Sequence, residues 1–227
     1  MYAYLSQYYD FIFDFNPKMD EFMKIFTKTN GMAIDLGCGT GRLTHLIHEH
    51  HMNVVGVDLN THMIEVAKKK YPSILFKVED MLKSFQSKTT YDLVTCFGNT
   101  IVHLNSNQLN QLFDSIKNKI KKEGYIIIQT LNYDQILKSK PAYLKKIEKE
   151  GIEFIRSYTY EKESIIFKTE LLLPNQHLEG STTIYPYVIN DFIHLAKKYN
   201  FSLTIYGDMN ENQVNDKTNH IYYVFKN

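Results

Sequence analysis

The chain has 227 residues, 26 Lys and Arg against 25 Asp and Glu, and a formal net charge of +1. That length holds one domain, or one domain with an elaboration, and a hydrophobic share of 44% suffices for a full core. The near-neutral balance offers no basic field for a nucleic-acid backbone, and no apolar run nears the ~20 residues that span a membrane. Neither nucleic acid nor membrane is therefore expected as a partner.

Residues 1–30 are dense in aromatics at mixed spacing: Tyr2, Tyr4, Tyr8, Tyr9, Phe11, Phe13, Phe15, Phe22 and Phe26. They predict a helical cap packed over something, interrupted at Pro17. Strands and helices then alternate. Strands are predicted at 31–36, 53–57, 74–78, 91–97 and, after Gly124, 125–130; helices at 41–50, 61–70 and 107–119, with Asn60 or Thr61 capping the second. Five strands with helices between them predict an α/β fold, a doubly wound parallel sheet with right-handed crossovers. A short helix over 133–139 and a lysine-rich stretch to Gly151 follow. Residues 152–185 read as three antiparallel strands, 152–160, 164–173 and 177–185, with turns at Glu161-Lys162-Glu163 and Pro174-Asn175. A helix over 188–199 and strands over 201–206 and 220–225 close the chain.

The two cysteines, Cys38 and Cys96, fall at predicted strand ends with no Cys-x-x-Cys or Pro-Cys context. With no signal-peptide pattern, they read as reduced and buried in a cytoplasmic protein. The nine histidines show no metal-ligand spacing, so no metal is expected; His45, His48, His50 and His51 read as a solvated helix face.

The most informative segment is Ala33-Ile34-Asp35-Leu36-Gly37-Cys38-Gly39-Thr40-Gly41. An apolar strand ends in an acid, breaks into glycines at alternate positions and turns into a helix. Open α/β sheets bind nucleotide-like ligands at such strand ends. A dinucleotide fingerprint would need glycine at the sixth position of the turn, where Arg42 stands, and a phosphate loop would need Gly-Lys-Ser/Thr. Asp35 would repel a phosphate but suits an ammonium group. Arg42 reads as a surface residue at the helix start.

This segment resembles the first motif of class I S-adenosylmethionine-dependent methyltransferases, Asp/Glu-x-Gly-x-Gly-x-Gly. The resemblance implies a Rossmann-like, seven-stranded, mostly parallel sheet whose last strand is antiparallel. Residues 140–187 would then be a β-hairpin insertion after strand five, forming a lid, a substrate-pocket wall or a dimer surface, and residues 1–30 an N-terminal cap. It implies S-adenosylmethionine as cofactor, held at Asp35, Gly37, Cys38, Gly39 and Gly41. Asp58 ends strand two and would accept the ribose hydroxyls, with Leu59 and Met63 beside the adenine. Asp80 would face the adenine amino group and Met81 would add a backbone N–H; a solvated loop is the alternative for this pair.

Gly98-Asn99-Thr100-Ile101-Val102-His103-Leu104 resembles the segment after strand four in the glycine and sarcosine N-methyltransferase group, and Asn132-Tyr133-Asp134 a segment after its fifth strand. The likeness implies that Phe97, Gly98 and His103 lie near the methionine moiety and Asn99 near the acceptor. His103 is alternatively a hydrogen-bonded residue that shapes the loop, and Asn99 a cap. Tyr8-Tyr9-Asp10 resembles a Tyr-Tyr-Asp ahead of the first motif in small-molecule methyltransferases. It implies Tyr8 near the cofactor and Tyr9 near cofactor or acceptor. The expected activity is in-line methyl transfer to a small molecule, an amine by resemblance, from a monomer or homodimer. His103 and Tyr9 are the candidate catalytic residues. A protein that binds the cofactor without catalysis and a nicotinamide-dependent oxidoreductase are the competing readings.

Overall fold

In the computed structural model residues 5–227 are described, so Tyr2 and Tyr4 lie outside the described residues. Two short helices, α1 (Tyr9–Ile12) and α2 (Lys18–Lys24), precede the sheet, and Pro17 sits at the N-cap of α2 with φ −60°, the value its ring imposes. The alternating part runs β1 (Met32–Leu36), α3 (Arg42–Glu49), β2 (Asn53–Asp58), α4 (Thr61–Lys70), β3 (Leu75–Val78), β4 (Tyr91–Cys96), α5 (Ser106–Lys117) and β5 (Ile120–Leu131). Asn60 caps α4 by accepting from the His62 and Met63 amides.

After α6 (Tyr133–Ser139) come β6 (Ile147–Lys149), β7 (Ile152–Tyr160), β8 (Ile165–Leu173) and β9 (Gln176–Ile184). Then α7 (Ile189–Tyr199), β10 (Ser202–Tyr206) and β11 (His220–Lys226) complete the chain. The main sheet has seven strands in the order β10-β11-β5-β4-β1-β2-β3. β11 pairs antiparallel with both β5 and β10, while the remaining pairs are parallel. β6 to β9 form a separate antiparallel sheet inserted after the fifth strand. This is the expected fold.

The strands are apolar because both faces are covered. Successive residues point to opposite sides, so Ala33, Ile127 and Val224 pack with α2, α3 and α4, while Ile34, Ile126, Ile128 and Phe225 pack with α5 and α7. Most strand bounds fall within one residue of expectation, with two larger differences. β5 begins at Ile120, five residues early, and a register shift between Tyr91 and Leu93, opposite the positive φ of Glu123, lets it continue through Gly124. β6 was hidden in the lysine-rich stretch; its three residues form a strand only because β7 supplies the hydrogen-bond partner.

Two of the four histidines on and just after α3, His45 and His50, depart from a solvated face. His45 stacks on Tyr71 at 4.3 Å between centroids, and the nearly buried His50 ring bonds Asp20 at 2.8 Å and Thr27 at 3.2 Å. They tie α2 and α4 to α3, a tertiary pairing that helical periodicity does not contain.

The inserted sheet is held over the carboxyl ends of the parallel strands. The Tyr185 amide donates to the Val102 carbonyl at 2.7 Å, and Tyr158 and Ile165 join the main core. Phe154 and Leu171 pack with Leu5, Ile12 and Met63 in a third cluster, which joins the insertion to the N-terminal cap. No helix among the described residues is long and apolar enough to cross a membrane.

Candidate active site

The glycine turn connects β1 to α3 with φ values of +68° at Gly37, +54° at Gly39 and +83° at Gly41. At Gly37 an added Cβ would lie 2.3 Å from the Thr100 methyl, so both the backbone angle and the space exclude a side chain. At Gly39 nothing lies within 4 Å of the Cβ position, leaving bare backbone facing open space.

Asp35, at the end of β1, is buried and accepts hydroxyl hydrogen bonds from Thr44 at 2.7 Å and Thr95 at 2.8 Å. Burial pushes its carboxyl up to about 6, against these two hydrogen bonds. Its side-chain oxygens are thus engaged from beneath the turn. Neither threonine announces itself in sequence, since each comes from a different element.

Asp58 closes β2. Its two oxygens accept backbone N–H groups from Gly39 at 2.9 Å and Asn60 at 2.8 Å, and burial raises its pKa. A carboxylate oxygen has lone pairs beyond one such bond, so Asp58 retains acceptor capacity beside the glycine turn. Leu59 is exposed, whereas Met63 is buried under the cap with Leu5 and Ile12. Asp80 caps the 3-10 turn Met81–Lys83 by accepting from the Leu82 amide at 3.0 Å, and Met81 is buried in the core.

A cavity of about 380 Å³ opens above the turn. Its walls come from the glycine turn, the segment after β4, the cap and the inserted sheet. Tyr9, Asp35, Gly37, Cys38, Gly39, Phe97, Gly98 and Asn99 from the sequence-derived set line it. Tyr8, Gly41, Asp58, Leu59, Met63, Asp80, Met81 and His103 do not appear in its described lining. Tyr9 is half-buried, desolvation raises its pKa, and a Cβ on Gly98 would sit 3.6 Å from its hydroxyl. Burial lowers the pKa of His103, in the 3-10 turn Thr100–His103. Asn99 has φ +62°; its amide donates to the Tyr133 hydroxyl at 2.8 Å and accepts the Leu131 N–H at 3.1 Å. Both thiols are pushed up by burial, so neither is a ready nucleophile.

Three lining features escaped the sequence reading. Arg42 is not a free surface residue: its Nε lies 3.1 Å from Asp10, and it lines the cavity. Asp10 also receives the Thr40 hydroxyl at 2.6 Å and pairs with Lys70, so one carboxylate fastens the cap across the turn. His220 and Arg156 reach the cavity from β11 and β7. The available signal for Arg156 was its strand register: Phe154, Arg156 and Tyr158 share one face, and the two neighbours are buried aromatics.

Residues 33–124 match a family model described as a methyltransferase domain. Over those residues the chain is similar to methyltransferase domains. A trans-aconitate 2-methyltransferase of Rhizobium leguminosarum bv. trifolii is 34% identical over 99 residues, 43% of this chain and 37% of that protein. Among solved structures, an S-adenosylmethionine-dependent methyltransferase from Clostridium acetobutylicum superposes with TM-score 0.84 at 18% identity, over 99% of this chain and 98% of that one. The sugar N-methyltransferase KedS8 from Streptoalloteichus does so with TM-score 0.73 at 15% identity, over 98% and 92%. At these identities the superpositions speak for fold. The matched regions of three curated relatives span 26%, 62% and 52% of those proteins' lengths.

The site's chemistry fits S-adenosylmethionine, the cofactor named for the superposed Clostridium acetobutylicum protein. Bare backbone at Gly39, an acceptor-rich Asp58 at the end of β2 and the absence of a phosphate-binding lysine suit a ribose and an ammonium better than a phosphate.

Proposed function

We propose that this protein transfers a methyl group from S-adenosylmethionine to a small molecule, and that the acceptor atom is an amine nitrogen. The observation that carries the reading is the cavity of about 380 Å³ bounded by the glycine turn on one side and the inserted sheet on the other. Its size is that of small-molecule sites. The cofactor would supply a methyl group already activated on a sulfonium. The chain's tasks are then positioning and water exclusion, which by themselves accelerate transfer greatly.

In this reading Asp58 accepts the ribose hydroxyls, the glycine turn admits the methionine end, and Leu59, Met63, Asp80 and Met81 surround the adenine. Tyr9, kept protonated by burial, closes the site from the cap and presents a hydroxyl near Gly98. The choice of an amine rests on proton chemistry. A hydroxyl acceptor needs a base, and the described lining offers poor ones: Asp35 is engaged by two threonines, Asp14 pairs with Lys149, burial lowers the pKa of His220, and His103 stands outside. A neutral amine brings its own lone pair and needs none. The names of the similar proteins point to different acceptors, among them trans-aconitate and a sugar, so this chemistry decides the reading.

Calorimetric titration with S-adenosylhomocysteine tests the cofactor site. Wild type should bind, and Asp58→Ala should weaken binding by about 1–3 kcal/mol, the range for hydrogen bonds to a charged group. An unchanged dissociation constant would sink the ribose assignment. Labelled methyl transfer to panels of amines, phenols and carboxylates tests the acceptor. Transfer to amines is expected; transfer to oxygen alone overturns the amine, and binding with no transfer to any class favours a non-catalytic binding protein.

A further inference from the structure

The inserted sheet places a cation in the cavity wall that no carboxylate among the described residues neutralises. Arg156 on β7 lines the cavity, and no carboxylate among the described residues pairs with it. One of its terminal nitrogens donates to the Lys145 carbonyl at 2.8 Å. Its Nε is buried and has no hydrogen-bond partner among the described residues. Its stem lies by Phe154, with the guanidinium carbon 5.7 Å from the ring centroid.

A half-buried guanidinium without a counter-anion is costly, and native structures rarely leave such a donor unpaired. The other charged groups in the wall do not relieve it. Arg42 is paired with Asp10, Asp35 is held by Thr44 and Thr95, and Asp14 pairs with Lys149 at 2.6 Å. His220, on the neighbouring wall, adds no negative charge; burial and then the Arg156 charge push its imidazole pKa down. The insertion side of the cavity therefore presents positive potential with no internal anion. The glycine turn lines the same cavity from the parallel sheet.

We propose that the methyl acceptor carries an oxyanion, a carboxylate or phosphate, and that Arg156 holds it. A guanidinium is suited to this task, since its planar donors match both groups. The acceptor is then an amine with an anionic end: the anion anchors on β7 while the nitrogen points toward the glycine turn. This deepens the methyl-transfer reading and rests on it.

The test uses full-length protein saturated with S-adenosylhomocysteine, titrated at constant ionic strength with acetate, inorganic phosphate or the neutral control acetamide, and followed by NMR. Wild type should bind at least one anion saturably and acetamide not at all. The tighter of the two anions identifies the group. Arg156→Gln should weaken anion binding at least tenfold while leaving the S-adenosylhomocysteine constant within twofold. Arg156→Met, which keeps the aliphatic stem beside Phe154, serves if the glutamine variant does not fold. Anion binding that is absent in wild type, or unchanged in the variants, overturns the proposal. So does a tenfold loss of S-adenosylhomocysteine affinity in the variants, because the guanidinium would then serve the cofactor's own carboxylate. Wild type that fails to bind S-adenosylhomocysteine sinks the methyltransferase reading itself, an outcome distinct from these.

Discussion

The two walls of the cavity are built on opposite principles. On the parallel-sheet side the carboxylates are held in place from within: Asp35 by Thr44 and Thr95, and Asp58 by the Gly39 and Asn60 amides. On the inserted wall Arg156 has a buried donor with no partner among the described residues. The first wall is preorganised before any ligand arrives, because its geometry comes from strand ends and a strained turn. The second is left electrostatically open. A shared cofactor suits a rigid, self-contained wall, and a particular acceptor suits one completed by the ligand.

Substitutions can break or sharpen that contrast. The largest effect is expected at the turn. Gly37→Ala combines a left-handed backbone with a Cβ 2.3 Å from Thr100, and should cost about 4 kcal/mol as the sum of strain and overpacking. Gly39→Ala, with open space around it, should cost only about 1 kcal/mol. Urea unfolding of the pair measures the difference; equal losses would mean that the wall is not rigid at Gly37.

A somewhat smaller effect concerns Asp35. Its folded pKa of about 6 lies above the unfolded value near 3.8, so between these values the native state binds more protons than the unfolded one. Wild-type stability should therefore fall as pH rises through that window. The penalty is fully present above it and amounts to about 3 kcal/mol. Asp35→Asn should remove this slope. Unfolding midpoints from pH 4 to 8 that run parallel in variant and wild type would show that the carboxyl is not strained by burial.

The smallest effect is expected at the cap. Asp10→Asn loses charge-assisted contacts to Arg42 and Lys70 and should destabilise the closed cap by about 1.5 kcal/mol. Faster amide exchange over residues 9–12 with little change in global unfolding would locate the loss there. Uniform acceleration across the chain would instead make the cap part of the core.

The difference between the walls also explains what was legible. Helix and strand order could be read along the chain because local periodicity and punctuation by Gly37, Asn60 and Pro17 carry it. The Asp35, Gly37 and Asp58 positions follow from strand ends, which are local. His103 was less legible, because a 3-10 turn after β4 sets its direction and the packing around it decides which side it faces. Arg42 was misjudged for a similar reason. Its partner Asp10 is 32 positions earlier and reaches it only when the cap folds over the turn.

By itself the sequence determined the alternation of strands and helices, the glycine turn and the two acids that end β1 and β2. Each is specified by spacing within a few residues. Tertiary structure alone decided that Thr44 and Thr95 would meet Asp35 and that Asp10 would close the cap. It also decided that Arg156 would line the same cavity as the glycine turn with no carboxylate among the described residues paired to it. Those outcomes depend on contacts between distant segments, whose partners packing selects after the local elements have formed.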